Sequence, residues 1–230
     1  INLSMNPEIP DDCDLLFLYA PTSDITDDEK TIIEKYLSDG GKVYLILGDT
    51  TSDTPNLDGI MSDYGLKKVS GYIADTQRCY QGNYYAIFPE LSLSGDLGSG
   101  ISNQMVLLLN SLGMEKTDTD NDNLTITPFM QTSDSGYAVT ENDQTQGQYI
   151  LGAVSTNAIS ADSSDSDSED EDDESDATDT DTKTARLTVL ASASMISSDI
   201  TDQLTTLDNL TLFVNLSLIH ISEPTRLLSI

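Results

Sequence analysis

A chain of 230 residues with 37% hydrophobic content is long enough to bury one real core, which excludes a wholly disordered protein. Forty acidic residues against ten basic ones give a formal charge of −30. Such a field repels polyanions, so nucleic acid and anionic lipid are excluded as partners.

The continuous apolar run Leu15–Tyr19 predicts a strand covered on both faces, and Pro21 to Asp24 turn the chain after it. Thr26-Asp27-Asp28-Glu29 has capping-box spacing. Ile32, Ile33, Tyr36 and Leu37 then place one apolar stripe on a helix that Gly40-Gly41 ends. A second buried strand is expected at Val43–Leu47. A second helix carries Leu57, Ile60, Met61 and Tyr64, with Asn56 as cap and Gly65 as stop. Leu66 to Ile73 reads as a third strand. Alternating strands and helices with short links predict an α/β fold with a mostly parallel, doubly wound sheet.

Gln77 to Gly100 reads as a long loop with local strand. Met105–Leu109, Leu124–Phe129, Tyr149–Val154 and Leu187–Leu190 are further expected strands, and Leu207, Leu210, Phe213 and Val214 suggest a last helix. Residues 160–183 form a low-complexity insertion, with twelve acids between Ser160 and Thr182. Such a composition cannot offset its ordering entropy, so a disordered surface loop is expected there.

Several segments match one family in order. They are Ile9-Pro-Asp-Asp-Cys-Asp-Leu-Leu-Phe-Leu-Tyr-Ala-Pro-Thr-Ser-Asp24, Tyr36-Leu-Ser-Asp-Gly-Gly-Lys-Val43 and Met61-Ser-Asp-Tyr-Gly-Leu66. Thr125-Ile-Thr-Pro-Phe-Met-Gln-Thr-Ser133 with Tyr137, and Asn209-Leu-Thr-Leu-Phe-Val-Asn215, complete the set. Residues 1–215 thereby resemble the ectodomain of the gliding-motility-type (GldG-like) ABC transporter auxiliary family. The resemblance implies a Rossmann-like domain related in fold to class I glutamine amidotransferases but not used as one. It further implies a membrane-anchored parent with an extracytoplasmic ectodomain, and ABC permease and ATPase subunits as partners. It brings no catalytic residues and no cofactor. Leu216-Ser-Leu-Ile-His-Ile-Ser-Glu-Pro-Thr-Arg226 resembles a translated sequencing-library adapter, so 216–230 is expected to be a non-native tail. The start at Ile1, with no signal peptide and no apolar run of the ~18–20 residues needed to span a membrane, reads as an internal fragment.

Chemistry finds little foothold. His220, the one histidine, lies in that tail, and without it no Ser-His-Asp or Cys-His pair and no histidine-ligated zinc is possible. Cys13 precedes the first strand instead of sitting on a strand-to-helix elbow, and whether it pairs with Cys79 is open. Gly95-Asp-Leu-Gly-Ser-Gly100 lacks the preceding strand of a dinucleotide cradle. Asp118, Asp120 and Asp122 start like a calcium loop, but Phe129 occupies its twelfth position. No metal is therefore expected.

In open α/β sheets ligands bind beyond the carboxyl ends of the strands. The candidate partner or ligand surface is accordingly Pro21, Thr22, Ser23 and Asp24 with Gly48, Asp49 and Thr50. Asp24 and Asp49 could hold a cation or polar ligand there; the plainer reading is that they cap helices or are simply solvated. The expected function is a non-catalytic accessory domain acting by protein contacts. The alternatives are a binding module for a small polar or glycan ligand at the strand-end crevice and, below it, a degenerate hydrolase.

Overall fold

The apolar runs form the expected strands. In the computed structural model, which describes residues 3, 5–50, 52–159 and 183–221 without the side chains of 220 and 221, β1 (Leu16–Tyr19) and β2 (Lys42–Ile46) pair in parallel. Helix α1 (Asp27–Ser38) connects them. Its capping box is complete: the Thr26 hydroxyl accepts from the Glu29 amide at 3.2 Å, and the Glu29 carboxylate accepts from the Thr26 amide at 3.0 Å. Gly40, at φ +92°, turns the chain after it. Helix α2 (Pro55–Asp63) buries Leu57, Ile60 and Met61.

Beyond α2 the expected Rossmann-like, amidotransferase-like parallel sheet does not form. The predicted third strand is broken at Ser70-Gly71 into β3 (Leu66–Val69) and β4 (Tyr72–Asp75). Gly71 sits at φ +87°, and a Cβ there would lie 2.1 Å from the Val139 carbonyl oxygen, so the backbone reverses in a space only glycine fits. The two halves enter different sheets.

The remaining strands are β5 (Cys79–Tyr80), β6 (Asn83–Ile87), β7 (Glu90–Leu91), β8 (Leu108–Leu109), β9 (Gly113–Lys116), β10 (Leu124–Gln131), β11 (Gly136–Val139), β12 (Gln144–Gln146), β13 (Ile150–Ile159) and β14 (Lys183–Leu190). An eight-stranded mixed sheet runs β1-β2-β14-β13-β10-β7, with β9 also on β13 and β3 on β9. Two three-stranded sheets, β12-β11-β4 and β5-β6-β8, accompany it. Among the described strands only β1, β2 and β14 are parallel, and every other pairing is antiparallel. The third parallel strand comes from the far end of the chain. β14 leaves an antiparallel hairpin with β13, whose last pair is Ile159 with Lys183, and docks beside β2. Residues 160–182, and with them the reading of the acidic stretch, lie outside the described residues.

β2 shows why a continuous apolar run is needed. Val43, Leu45 and Leu47 face a core shared with Ile33 and Leu37 of α1 and Ile60 and Met61 of α2. Tyr44 and Ile46 face a second core with Phe129, Leu151 and Leu190. The second core is closed by α4 (Asn209–Ile221), which follows the short α3 (Ser198–Thr201) and starts two residues later than the predicted Leu207. Leu212 and Leu216 are fully buried, each contributing about 1.5–3 kcal/mol. The buried Asn209 amide donates to the Leu107 and Met195 carbonyls at 2.9 and 3.1 Å, and Asp208 accepts from the Asn103 and Met105 amides. These bonds bolt the start of α4 to the 102–107 segment.

Candidate functional site

Ending three parallel strands together creates a crevice beyond their carboxyl ends. It holds about 350 Å³ and is lined by Tyr19 after β1, Gly48 and Asp49 after β2, Ser192 and Ser194 after β14, and Asn110 from the β8–β9 turn. Two residues are left-handed without being glycine: Asn110, in the lining, at φ +45°, and Ala20, next to the lining Tyr19, at φ +43°. Ala20 brings the β1 end hard against β2, since a Cβ on Gly48 would meet the Ala20 Cα at 2.8 Å. Gly48 is therefore required by close approach, not by turn geometry.

The polar groups are knitted together. The Ser192 hydroxyl donates to the Leu109 carbonyl at 2.9 Å, and the Ser194 hydroxyl oxygen accepts from the Leu109 amide at 2.8 Å. The two serine oxygens are 2.7 Å apart. Asp49 accepts from the Tyr72 hydroxyl at 2.6 Å, which raises the Tyr72 pKa by holding its proton. Tyr19 donates to the Ala193 carbonyl at 3.4 Å.

Of the expected surface, Gly48 and Asp49 line this crevice. Pro21, Thr22, Ser23, Asp24 and Thr50 do not. Thr22 and Ser23 are exposed on the loop leaving β1. Asp24 has a helix-capping role at a distance: its two carboxylate oxygens accept from the Asn56 and Leu57 amides at 2.9 and 3.1 Å. The N-cap residue of α2 is Thr54, not Asn56, and its side chain makes no capping bond, so Asp24 supplies it from the other loop. Tyr19, Asn110, Ser192 and Ser194 were missed. The available signal was Ala191-Ser192-Ala193-Ser194 directly after an apolar strand, the same strand-end logic that singled out Asp49.

Other sequence candidates have structural duties. The Gly95–Gly98 turn gives its Leu97 carbonyl, and Ser99 its carbonyl, to the Asn215 amide of α4 at 3.1 and 2.6 Å. Cys13 and Cys79 are free thiols. A second hollow of about 550 Å³ lies at the amino ends of β1 and β2, between residues 7–13 and the end of α1. There the Tyr36 hydroxyl donates to the Cys13 carbonyl at 2.9 Å, and burial pushes its pKa up to about 12. Among the described residues no group of three or more His, Cys, Asp or Glu could hold a metal.

A family model described as "ABC-type uncharacterized transport system" matches residues 1–216. No curated protein matches the chain. The solved structure titled "mmIFT52 N-terminal domain" is similar over 93% of this chain and 80% of its own, with a TM-score of 0.56 and 13% identity. At that identity the likeness concerns the fold alone, and it accords with a mixed sheet.

Proposed function

The chain belongs to the family of ABC-type uncharacterized transport systems, and from that premise we propose that it is a non-catalytic accessory domain working by contact with the permease and ATPase subunits. It is an auxiliary component of an ABC-type transport system, and so associated with a membrane process. No helix among the described residues is long and apolar enough to cross a membrane. We place the domain on the extracytoplasmic side, as its resemblance to auxiliary ectodomains suggests.

One observation supports protein contact above all. β1 is an edge strand among the described residues, and Phe17 and Tyr19 are 41% and 48% exposed on it. Phe17 stacks edge-on against Phe213 of α4 with ring centroids 5.9 Å apart. On the same helix Leu210 and Val214, four residues apart, are about half exposed. A run of exposed apolar side chains on a chain of charge −30 is the pattern of a protein interface. The engaged serines support the non-catalytic reading, because the Ser192 proton is committed to a carbonyl instead of a base.

The test is photo-crosslinking in cells that co-express the permease and ATPase. A crosslinker at Phe17 or Val214 is expected to capture a transporter subunit, and one at Lys35, on α1, is not. Equal capture from all three positions, or none, refutes the contact surface. Digestion by protease added to intact cells checks the outward placement, and full protection refutes it. A second reading, a binding module for a small polar or glycan ligand, is favoured by the polar crevice. A thermal-shift screen of sugars, peptides and cations separates the two, since only a binding module is stabilised by one compound class.

A further inference from the structure

Among the described residues β1 pairs only with β2, and the register shows what its other side presents. The Ala20 amide donates to the Ile46 carbonyl at 2.8 Å, so Leu18 and Leu16, at the same parity, also turn their backbone groups toward β2. Phe17 and Tyr19 therefore turn theirs outward: two amides and two carbonyls that no other described strand or loop bonds. Their side chains share one face of the sheet. The Phe17 ring centroid lies 6.1 Å from that of Tyr19, 5.3 Å from Tyr44 and 5.9 Å from Phe213 of α4, so aromatic rings border the open edge. Natural sheets commonly guard such an edge with lysine, proline or a bulge, and Leu16–Tyr19, though short, has none of these. The charge around it has one sign. Residues 1–29 hold eight Asp or Glu and no Lys or Arg, with Asp11, Asp12 and Asp14 exposed just ahead of the strand. Helix α4 brings no Lys or Arg either.

We propose that the β1 edge accepts, as an added strand, an extended segment of a partner protein that bears lysine or arginine at alternate positions. The proposal rests on the contact-surface reading and names what docks there. The segment's backbone pairs with the outward amides and carbonyls of Phe17 and Tyr19. Its basic side chains fall on the aromatic face beside those two rings, where the ring faces and the neighbouring carboxylates both attract a cation. Its intervening residues fall beside Leu16 and Leu18 and are apolar. A second copy of this chain is the wrong occupant. Pairing two such edges would set the same carboxylates against each other, with a charge of −30 on each chain. The acids thus turn away the chain's own edge and admit a basic one.

The experiment is a titration of the full chain with the peptide acetyl-Arg-Val-Arg-Val-Arg-amide, followed by backbone amide NMR and amide exchange. The comparison probes are acetyl-Glu-Val-Glu-Val-Glu-amide and the arginine peptide N-methylated at every backbone amide, which keeps the charge and loses the donors. Saturable shifts and slowed exchange at the Phe17 and Tyr19 amides are expected with the unmethylated arginine peptide alone. Tyr19→Thr keeps a strand-forming residue while removing the ring, and should weaken binding about two- to fivefold. The triple variant Asp11→Asn, Asp12→Asn and Asp14→Asn leaves the strand itself intact and should also weaken it. Binding unchanged in both variants overturns the proposal. Equal binding of the N-methylated peptide overturns strand addition, and equal binding of the glutamate peptide overturns the basic occupant. Exchange at Phe17 and Tyr19 already slow in the chain alone assigns the edge elsewhere and overturns the proposal. The occupant is then a second copy if the protection fades on dilution, and a segment of this chain if it does not. Silence at millimolar peptide overturns the proposal too, and crosslinking from Phe17 then judges the contact surface separately. Capture of a transporter subunit keeps that surface without strand addition, and no capture removes both.

Discussion

Asp75 should be among the most sensitive single positions in the protein. It ends β4 with its side chain fully buried, and accepts four hydrogen bonds. Oδ1 takes the Gln77 and Arg78 amides at 2.9 and 2.8 Å and the Ser133 hydroxyl at 2.9 Å, while Oδ2 takes the Ser133 amide at 2.8 Å. Burial alone would raise its pKa, but the donors outweigh it and hold the carboxyl below its ordinary value. In Asp75→Asn one oxygen becomes an NH₂ facing an N–H donor. The change removes a charge-assisted bond worth about 1.5–3 kcal/mol and leaves a buried amide unpaired at about 1–3 kcal/mol more. Together these predict a loss of about 3 kcal/mol or more. For a chain of this length that lowers Tm by roughly 6–12 °C.

The pH dependence carries the sharper test. A carboxyl with a depressed folded pKa stabilises fully above its unfolded value, ~3.9, and the benefit is lost as pH falls through the lower folded value. The stability gap between wild type and Asp75→Asn, measured by urea unfolding, should thus be constant from pH 7 to about 5 and narrow below about 4. Comparing the two proteins at each pH cancels the other acids. A gap under about 1 kcal/mol at pH 7, or one that does not narrow in acid, refutes the assignment of these four bonds.

Three further outcomes follow from the geometry. Asp24→Ala removes the distant cap of α2 and should cost about 1–2 kcal/mol, with faster amide exchange at Asn56 and Leu57; unchanged exchange there would falsify it. Gly48→Ala forces a Cβ against the Ala20 backbone and should destabilise by about 1–3 kcal/mol, moving the amide shifts of Tyr19, Ala20 and Asn110. A neutral outcome means that β1 and β2 do not approach so closely. Burial pushes the Tyr64 hydroxyl up to about 12, so the folded state keeps a proton that the unfolded state loses near 10. The Tyr64 contribution to stability should be flat up to about pH 10 and be lost between 10 and 12, so Tyr64→Phe should reduce the slope of stability against pH in that window in denaturant titrations.

How much of this was readable from the sequence depended on distance along the chain. The β1–α1–β2–α2 unit was legible because each signal is local: two-sided apolar runs, a Thr26–Glu29 box, a glycine stop. Pairing partners are not local. A run such as Leu187–Leu190 announces a buried strand, but nothing in it says that it docks in parallel on β2 while pairing antiparallel with β13. Extending the βαβ rhythm one unit too far made Leu66–Ile73 a single parallel strand, and the Ser70-Gly71 reversal inside it was the overlooked warning. At the crevice, Gly48 and Asp49 were found because they follow a recognisable strand end. Ser192 and Ser194 were not, since serine is common throughout this chain and only the fold distinguishes these two. Asp24 illustrates the reverse: its functional reading competed with a capping one, and its two bonds go to a helix.

The position of β14 matters before the protein is complete. β2 leaves the ribosome more than a hundred residues ahead of the strand that will cover its second edge. At roughly 5–20 residues per second, that edge waits on the order of ten seconds with its amides and carbonyls unpaired. A nascent sheet of this kind is a template for the wrong neighbour, and a second nascent chain on the same message is the nearest one. Mutual repulsion between such acidic chains is a ready safeguard during that interval. Neutralising substitutions that leave the finished fold untouched should therefore lower the yield of folded protein during synthesis, while refolding of the isolated full-length chain at high dilution is spared.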